Sequence, residues 1–255
     1  MNYILFEDNF SSFLSPFTDM HATFEIRCGQ FINIERILTI LDPLDKLTLI
    51  VRSDIEELIQ EKFENICVNP EIIEAGIWLN GATIWDEKRL KIVENRKTYA
   101  NEDILYSFTE EGNIDFKNYK EIISSKSKVT SQIEFPHISF LWDAISESHD
   151  QIQEDFIKKF PTRFGNIHHS VIMVEEENIH CDENSTINAG VILDASKGPI
   201  IIEKDVKIDI GALLQGPIVI GKNSVVNPGS KLRGNVVLGP MCKVGGEIED
   251  SIIHG

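Results

Sequence analysis

The chain has 255 residues, 42% hydrophobic and 25% charged, a balance that suits one large or two modest globular domains and excludes disordered classes. A formal charge of −17 with no long basic cluster argues against nucleic acid as a partner, so any anionic substrate must be held by local groups. The first residues, MNYILFEDNF, lack the pattern of a secretory leader and no stretch is apolar enough to span a bilayer, so a cytoplasmic protein without membrane contact is expected. Cys28, Cys67, Cys181 and Cys242 are scattered without a close pair, which argues for reduced, mostly packed thiols and against a zinc ribbon or a disulfide framework.

Residues 2–6 (NYILF) form a short apolar strand, and the next loop, EDNFSSFLSPFTDMH, carries Phe10, Phe13 and Phe17 as expected core. Residues 32–41 have helical periodicity, and 47–51 (LTLIV) form a buried parallel strand. Ser53 and Glu56 make a capping box that opens a helix running to Phe63. Strands come next at 66–68, 76–79 and 104–108, then a helix over 116–126. Strands alternating with helices predict a parallel α/β sheet in residues 1–135. Over 139–160, apolar residues at Leu141, Ile145, Ile152 and Phe156 mark a helix within a connector of residues 136–164, expected to pack on the first coil of the C-terminal domain.

From residue 165 onward the period changes to six. Ile202, Ile208, Leu214, Ile220, Val226, Leu232, Leu238 and Val244 are eight apolar positions six residues apart. Four residues after each stands Val206, Ala212, Ile218, Ser224, Ser230, Val236, Cys242 or Ile248. Cys181, Ile187 and Leu193 share the phase, with three extra residues inserted before Ile202. No α-helix or ordinary sheet repeats every six residues, whereas a triangular parallel β-helix does: three hexads make one coil of about 18 residues, and coils stack over a continuous apolar column. Asp205, Gly211, Asn223, Gly229 and Asn235 fall at the corners, where the backbone needs unusual angles. Roughly four coils are predicted, about the minimum for a stable solenoid. The repeat runs to Gly255 without a polar cap, so an incomplete stack is expected.

Three segments resemble the sugar nucleotidyltransferases with an appended left-handed β-helix, related to the bifunctional N-acetylglucosamine-1-phosphate uridyltransferase/glucosamine-1-phosphate acetyltransferases. They are residues 14–35, LSPFTDMHATFEIRCGQFINIE, similar to that group's Pro-Leu-Thr-x-Thr-Arg-Pro stretch and subsequent Arg-x-Gly; residues 78–81, WLNG; and residues 198–255, with GPIII, QGPIVIG and CKVGGEIEDSIIHG. The resemblance implies an α/β/α nucleotidyltransferase domain followed by a left-handed parallel β-helix, and attack of a sugar-1-phosphate on the α-phosphate of a nucleoside triphosphate with magnesium. It implies Thr18, His21, Arg27, Gly29, Asn80 and Gly81 as nucleotide or sugar-phosphate contacts, UDP-N-acetylglucosamine as the type of product, and a homotrimer. Acetyl-CoA is implied only if further β-helix coils supply the acyltransferase site.

The chain departs from that pattern at chemically telling places. The loop after Phe6 holds no glycine, although glycine is what lets several N–H groups approach phosphates. Thr23 stands where the catalytic enzymes carry lysine, and Ala82 where they carry the magnesium-binding aspartate, leaving Asp19, Glu25 and Asp86 as the nearby carboxylates. The acyl-transfer histidine belongs to a stretch beyond KVGGEI, and His254 is outside that motif. No catalytic residue is therefore assigned. The competing expectation is a noncatalytic sugar-nucleotide-binding or assembly protein that trimerises through the β-helix. His168, His169 and His180 raise a zinc site built between subunits, against a role in capping the coil stack. Lys231, Arg233 and Lys243 lie on neighbouring hexads and offer either an anion groove or a solvated face.

Overall fold

The computed structural model describes residues 1–8, 10–95, 97–101, 104–128, 131, 133–157 and 165–255. Two compact units divide them, Met1–Ile26 with Ile32–Asp143, and Arg27–Phe31 with Ala144–Gly255.

The first unit is an α/β domain on a six-stranded sheet. In chain order its elements are β1 (Asn2–Phe6), β2 (Arg27–Cys28), β3 (Phe31–Ile32), α1 (Asn33–Ile40), β4 (Lys46–Ile50), α2 (Glu56–Lys62), β5 (Cys67–Val68), β6 (Ile72–Ile73), β7 (Gly76–Asn80), α3 (Glu87–Val93), β8 (Tyr99–Asn101), β9 (Ile104–Glu110), β10 (Ile114–Asp115) and α4 (Tyr119–Lys126), of which β2 falls in the second unit. The sheet order is β5-β4-β1-β7-β9-β8. Strand alternation divides its core into two layers. Tyr3, Leu5, Leu49 and Leu79 pack with Ile34, Ile37 and Ile59 from α1 and α2. Ile4, Phe6, Ile50, Trp78 and Phe108 face the other way, toward Tyr119 and Ile123 of α4.

Three expectations change here. Strands β5, β4, β1 and β7 are parallel, but β9 runs antiparallel to β7 and β8 antiparallel to β9, so the sheet is mixed. The helix after β4 starts at Glu56 behind Ile55, which has no side-chain cap; Ser53 lies in a turn closed by the Ile55 N–H on the Arg52 carbonyl, so the predicted capping box does not form. Phe13 is 54% exposed and stacks on Phe10, and among the described residues of that loop the buried ones are Glu7, Leu14 and Thr18.

In the second unit the hexads form a left-handed parallel β-helix with three faces. The first face stacks five strands: Asn166–Ile167, Thr186–Ile187, Lys207–Ile208, Val225–Val226 and Lys243–Val244. The other two faces share the long strands Lys231–Leu238 and Glu247–Ile253. Ile202, Ile208, Leu214, Ile220, Val226, Leu232, Leu238 and Val244 all point into one column, together with Val206, Ala212, Ile218, Val236 and Cys242. The serines of this column are satisfied locally: Ser224 Oγ donates to the Gly239 carbonyl and accepts from Cys242 N–H, both at 3.0 Å. Left-handed corners fall in two rows, Asn184, Asp205, Asn223 and Met241, and Gly190, Gly211 and Gly229. Asn235 is not among them; Gly234 beside it takes that conformation at φ 69°.

The last coil tightens. Lys231 pairs with Glu247, sixteen residues on, and Val236 with Ser251, fifteen on, where the coil just before steps by eighteen (Leu213 to Lys231). Ile248 consequently stacks on Leu232 in the first-position column and not in the second, where a spacing of four from Val244 would put it.

Helix α5 (Leu141–Ile157) runs beside the coils, and the expected continuation to Phe160 lies outside the described residues. Ile152 and Phe156 pack against Ile201, Val219, Val237 and Ile252, the outward residues of successive coils, so the helix lies along one face of the prism. Its buried stripe also holds Ala144 and three polar residues, Ser148, Gln151 and Asp155. Those side chains receive the segment Arg27–Phe31: Gly29 N–H donates to Ser148 Oγ and Gln30 N–H to Asp155 Oδ2, each at 3.0 Å. Gly29 has φ +69°, and a Cβ there would stand 2.7 Å from Asp155 Oδ2 and 2.9 Å from Gln151 Cβ. Gly29→Ala is expected to destabilise the protein by about 2 kcal/mol or more through backbone strain and crowding together, read as a lower midpoint in urea unfolding.

Candidate functional site

From β1 the chain passes to β4 on one side of the sheet and, after β5, returns to β7 on the other. Strand order thus reverses between β1 and β7, and in open α/β sheets the crevice beyond the carboxyl ends of the strands at such a reversal is where ligands bind. Asp8 and Asn80 span it. Asn80 Nδ2 donates to Asp8 Oδ2 at 2.8 Å and to the Leu105 carbonyl at 2.9 Å, while its Oδ1 accepts from Ala82 N–H at 2.9 Å. Asp8 Oδ1 also accepts from Phe10 N–H at 2.9 Å. Gly81 donates its N–H to the Phe6 carbonyl at 2.8 Å, and a Cβ at Gly81 would stand 2.8 Å from Thr23 Oγ1, so only glycine fits this strand end.

Beside the crevice, Glu7, Asp8, Ser11, Arg52, Tyr119, Lys120 and Ile123 line a cleft of about 160 Å³. Glu7 is buried and accepts from Thr23 N–H at 2.9 Å, Arg52 N–H at 3.1 Å and Arg52 Nη1 at 2.7 Å. Burial pushes its carboxyl above the usual range, and the Arg52 charge with those donors opposes the shift. Arg52 Nη2 donates to the Thr18 and His21 carbonyls, and Nε to Asp54 Oδ2 at 3.3 Å. The arginine therefore ties the end of β4 to the loop after β1.

The sequence-predicted residues divide between the two units. Thr18 and His21 lie in the loop, Asn80 and Gly81 at the crevice, and Arg27 and Gly29 in the second unit. Thr18 Oγ1 donates to the Ser11 carbonyl at 2.8 Å, and the His21 ring stacks on Phe17 at 4.6 Å. Arg27 is buried, with Nη1 on the Gln30 carbonyl at 2.7 Å. Thr23 and Ala82, which the resemblance sets in place of a lysine and an aspartate, are both buried. The three nearby carboxylates are engaged elsewhere: Asp19 accepts from Ser15 at 3.0 Å, Glu25 binds Lys62 at 2.8 Å, and Asp86 caps α3 through Arg89 N–H at 2.7 Å.

Among the described residues, no three His, Cys, Asp or Glu side chains converge to hold a metal. The His168 and His169 rings lie 4.2 Å apart, tilted by 35°, and His180 sits by Asp182 at 3.2 Å. Lys231 and Arg233 share a strand, with Arg233 on Glu247 at 2.5 Å, while Lys243 belongs to another face of the prism, so the three do not form one groove. Sequence reasoning missed Glu7, Asp8, Arg52, Tyr119 and Lys120. The available signal was positional, since Glu7, Asp8 and Arg52 come one or two residues after the ends of two strands that were predicted.

This architecture defines an α/β domain with a polar crevice at the reversal of its sheet, followed by a β-helix. The chain belongs to the sugar nucleotidyl transferase family, whose sequence profile matches residues 3–159, more than half of its length. That family's substrates are nucleotides and sugar phosphates. A comparison with curated proteins returns no match.

The electrostatics of the site are testable at two positions. Replacing Arg52 by Met leaves the Glu7 carboxylate buried and uncompensated, at a cost of about 3 kcal/mol; adding Glu7→Gln should recover much of that loss in chemical unfolding. His137, bonded to Thr83 Oγ1 at 2.9 Å, has its pKa lowered by burial, against the opposing pull of Asp8 and Asp143. The folded protein resists protonating this imidazole, so below its ordinary pKa of about 6.5 the unfolded chain binds the extra proton and stability falls as pH drops. His137→Gln should show a shallower loss of melting temperature on acidification over that range.

Proposed function

We propose that the α/β domain catalyses nucleotidyl transfer to a sugar-1-phosphate in the crevice beyond β1 and β7, of the kind performed by N-acetylglucosamine-1-phosphate uridyltransferases. The observation that carries this reading is the Asp8–Asn80 pair at the strand reversal, within a chain that belongs to the family. In the reaction a sugar-phosphate oxygen attacks the α-phosphorus of the triphosphate, the bond to the bridging oxygen breaks, and pyrophosphate leaves.

Asp8 is the carboxylate suited to magnesium. Its two hydrogen bonds leave acceptor capacity on both oxygens, and magnesium needs only one or two carboxylates beside phosphate oxygens. The ion would supply charge neutralisation on the phosphates. Asn80 orients Asp8, and Gly81 keeps the strand end open to backbone approach. The β-helix serves assembly, as a homotrimer, in a cytoplasmic enzyme.

Buried Thr23 and Ala82 favour a second reading, in which the domain binds a sugar nucleotide without turning it over. Calorimetry with UTP, dTTP and their sugar nucleotides, with and without magnesium, and a pyrophosphate-release assay separate the two. Binding with release is the expected result; binding without release establishes the second reading, and no binding sinks both. Asp8→Asn should lower the release rate by about 100-fold or more.

A further inference from the structure

The resemblance to the β-helix uridyltransferases sets Thr23 where those enzymes carry a lysine, and here the Thr23 side chain is buried and its N–H is spent on Glu7. A triphosphate nevertheless needs a cation near the oxygens that gain charge as pyrophosphate departs. Two cationic side chains line the cleft beside Asp8, Arg52 and Lys120. They are not equivalent. Arg52 is committed on Nη1, Nη2 and Nε to Glu7, to the Thr18 and His21 carbonyls and to Asp54. Lys120 is exposed, makes no ion pair among the described residues, and carries its ammonium 5.9 Å from the Tyr119 ring centroid.

Size also discriminates. At about 160 Å³ the cleft is smaller than the roughly 300 Å³ or more of a site for a whole small molecule, and amounts to about five water volumes. That suits a group of linked phosphates and leaves a base and sugar to the crevice next to it. Ser11, in the lining, adds a hydroxyl.

We infer that this cleft holds the terminal phosphates of the nucleoside triphosphate and that Lys120 supplies the charge the missing lysine would have given. The assignment rests on the nucleotidyl-transfer reading, and the pocket itself is testable apart from it. Inorganic triphosphate and UTP, each with magnesium, are titrated calorimetrically into wild type, Lys120→Met and Lys120→Arg, whose folding is verified by thermal unfolding. Loss of one charge-assisted contact should weaken both ligands about 10-fold to 100-fold in the Met variant, while Arg keeps most of the affinity. Wild-type binding of UTP with no change in the Met variant overturns the assignment and leaves nucleotidyl transfer standing. Lys120-dependent binding of inorganic triphosphate without binding of any nucleotide upholds the phosphate site and removes the nucleotidyl-transfer reading. Binding of neither by wild type overturns both.

Discussion

The ion pair between Glu7 and Arg52 is the constraint on which the candidate site depends. A carboxylate in this position, 7% exposed at the end of the first strand, is costly unless its charge and lone pairs are met. Arg52 meets the charge, and two backbone N–H groups meet the oxygens. The same guanidinium then reaches the Thr18 and His21 carbonyls, so one buried anion fixes the start of the loop, its return and the exit of the neighbouring strand. A glycine-rich phosphate loop keeps its N–H groups free for a ligand. Here the corresponding segment folds into short 3₁₀ turns, Ser11–Leu14, Phe17–Asp19 and Thr23–Glu25, whose amides are partly spent on their own carbonyls.

The β-helix was legible in the sequence almost residue by residue, because a spacing of six constrains every inward position and each coil repeats the test. It failed at Ile248, where the coil shortens by two residues, since a period cannot announce its own interruption. In the α/β domain the strands were legible from apolar runs. Strand direction was not: nothing in residues 104–108 distinguishes a parallel from an antiparallel neighbour, and the reversal of β9 is decided by the chain's path. Ser53 and Glu56 have the spacing of a capping box, but Arg52 is held by Glu7 and the turn after it delays the helix to Glu56.

The site was less legible than the fold. Asn80 and Gly81 emerge at the crevice, whereas Arg27 and Gly29 belong to a segment counted with the β-helix, where Gly29 makes room for Asp155 and Gln151. Glu7 and Lys120 are ordinary charged residues in sequence. Only the sheet order brings the end of β1, the end of β4 and the start of α4 around one cleft.

Helix α5 lies on the column of Ile201, Val219, Val237 and Ile252, apolar residues that the coils turn outward. A triangular prism has three sides on which to meet a neighbour, and this one has already furnished the partner for one of them from its own chain. The sheet under α5 is thus closed to any other chain, its outward apolar residues already buried by a helix of the same one.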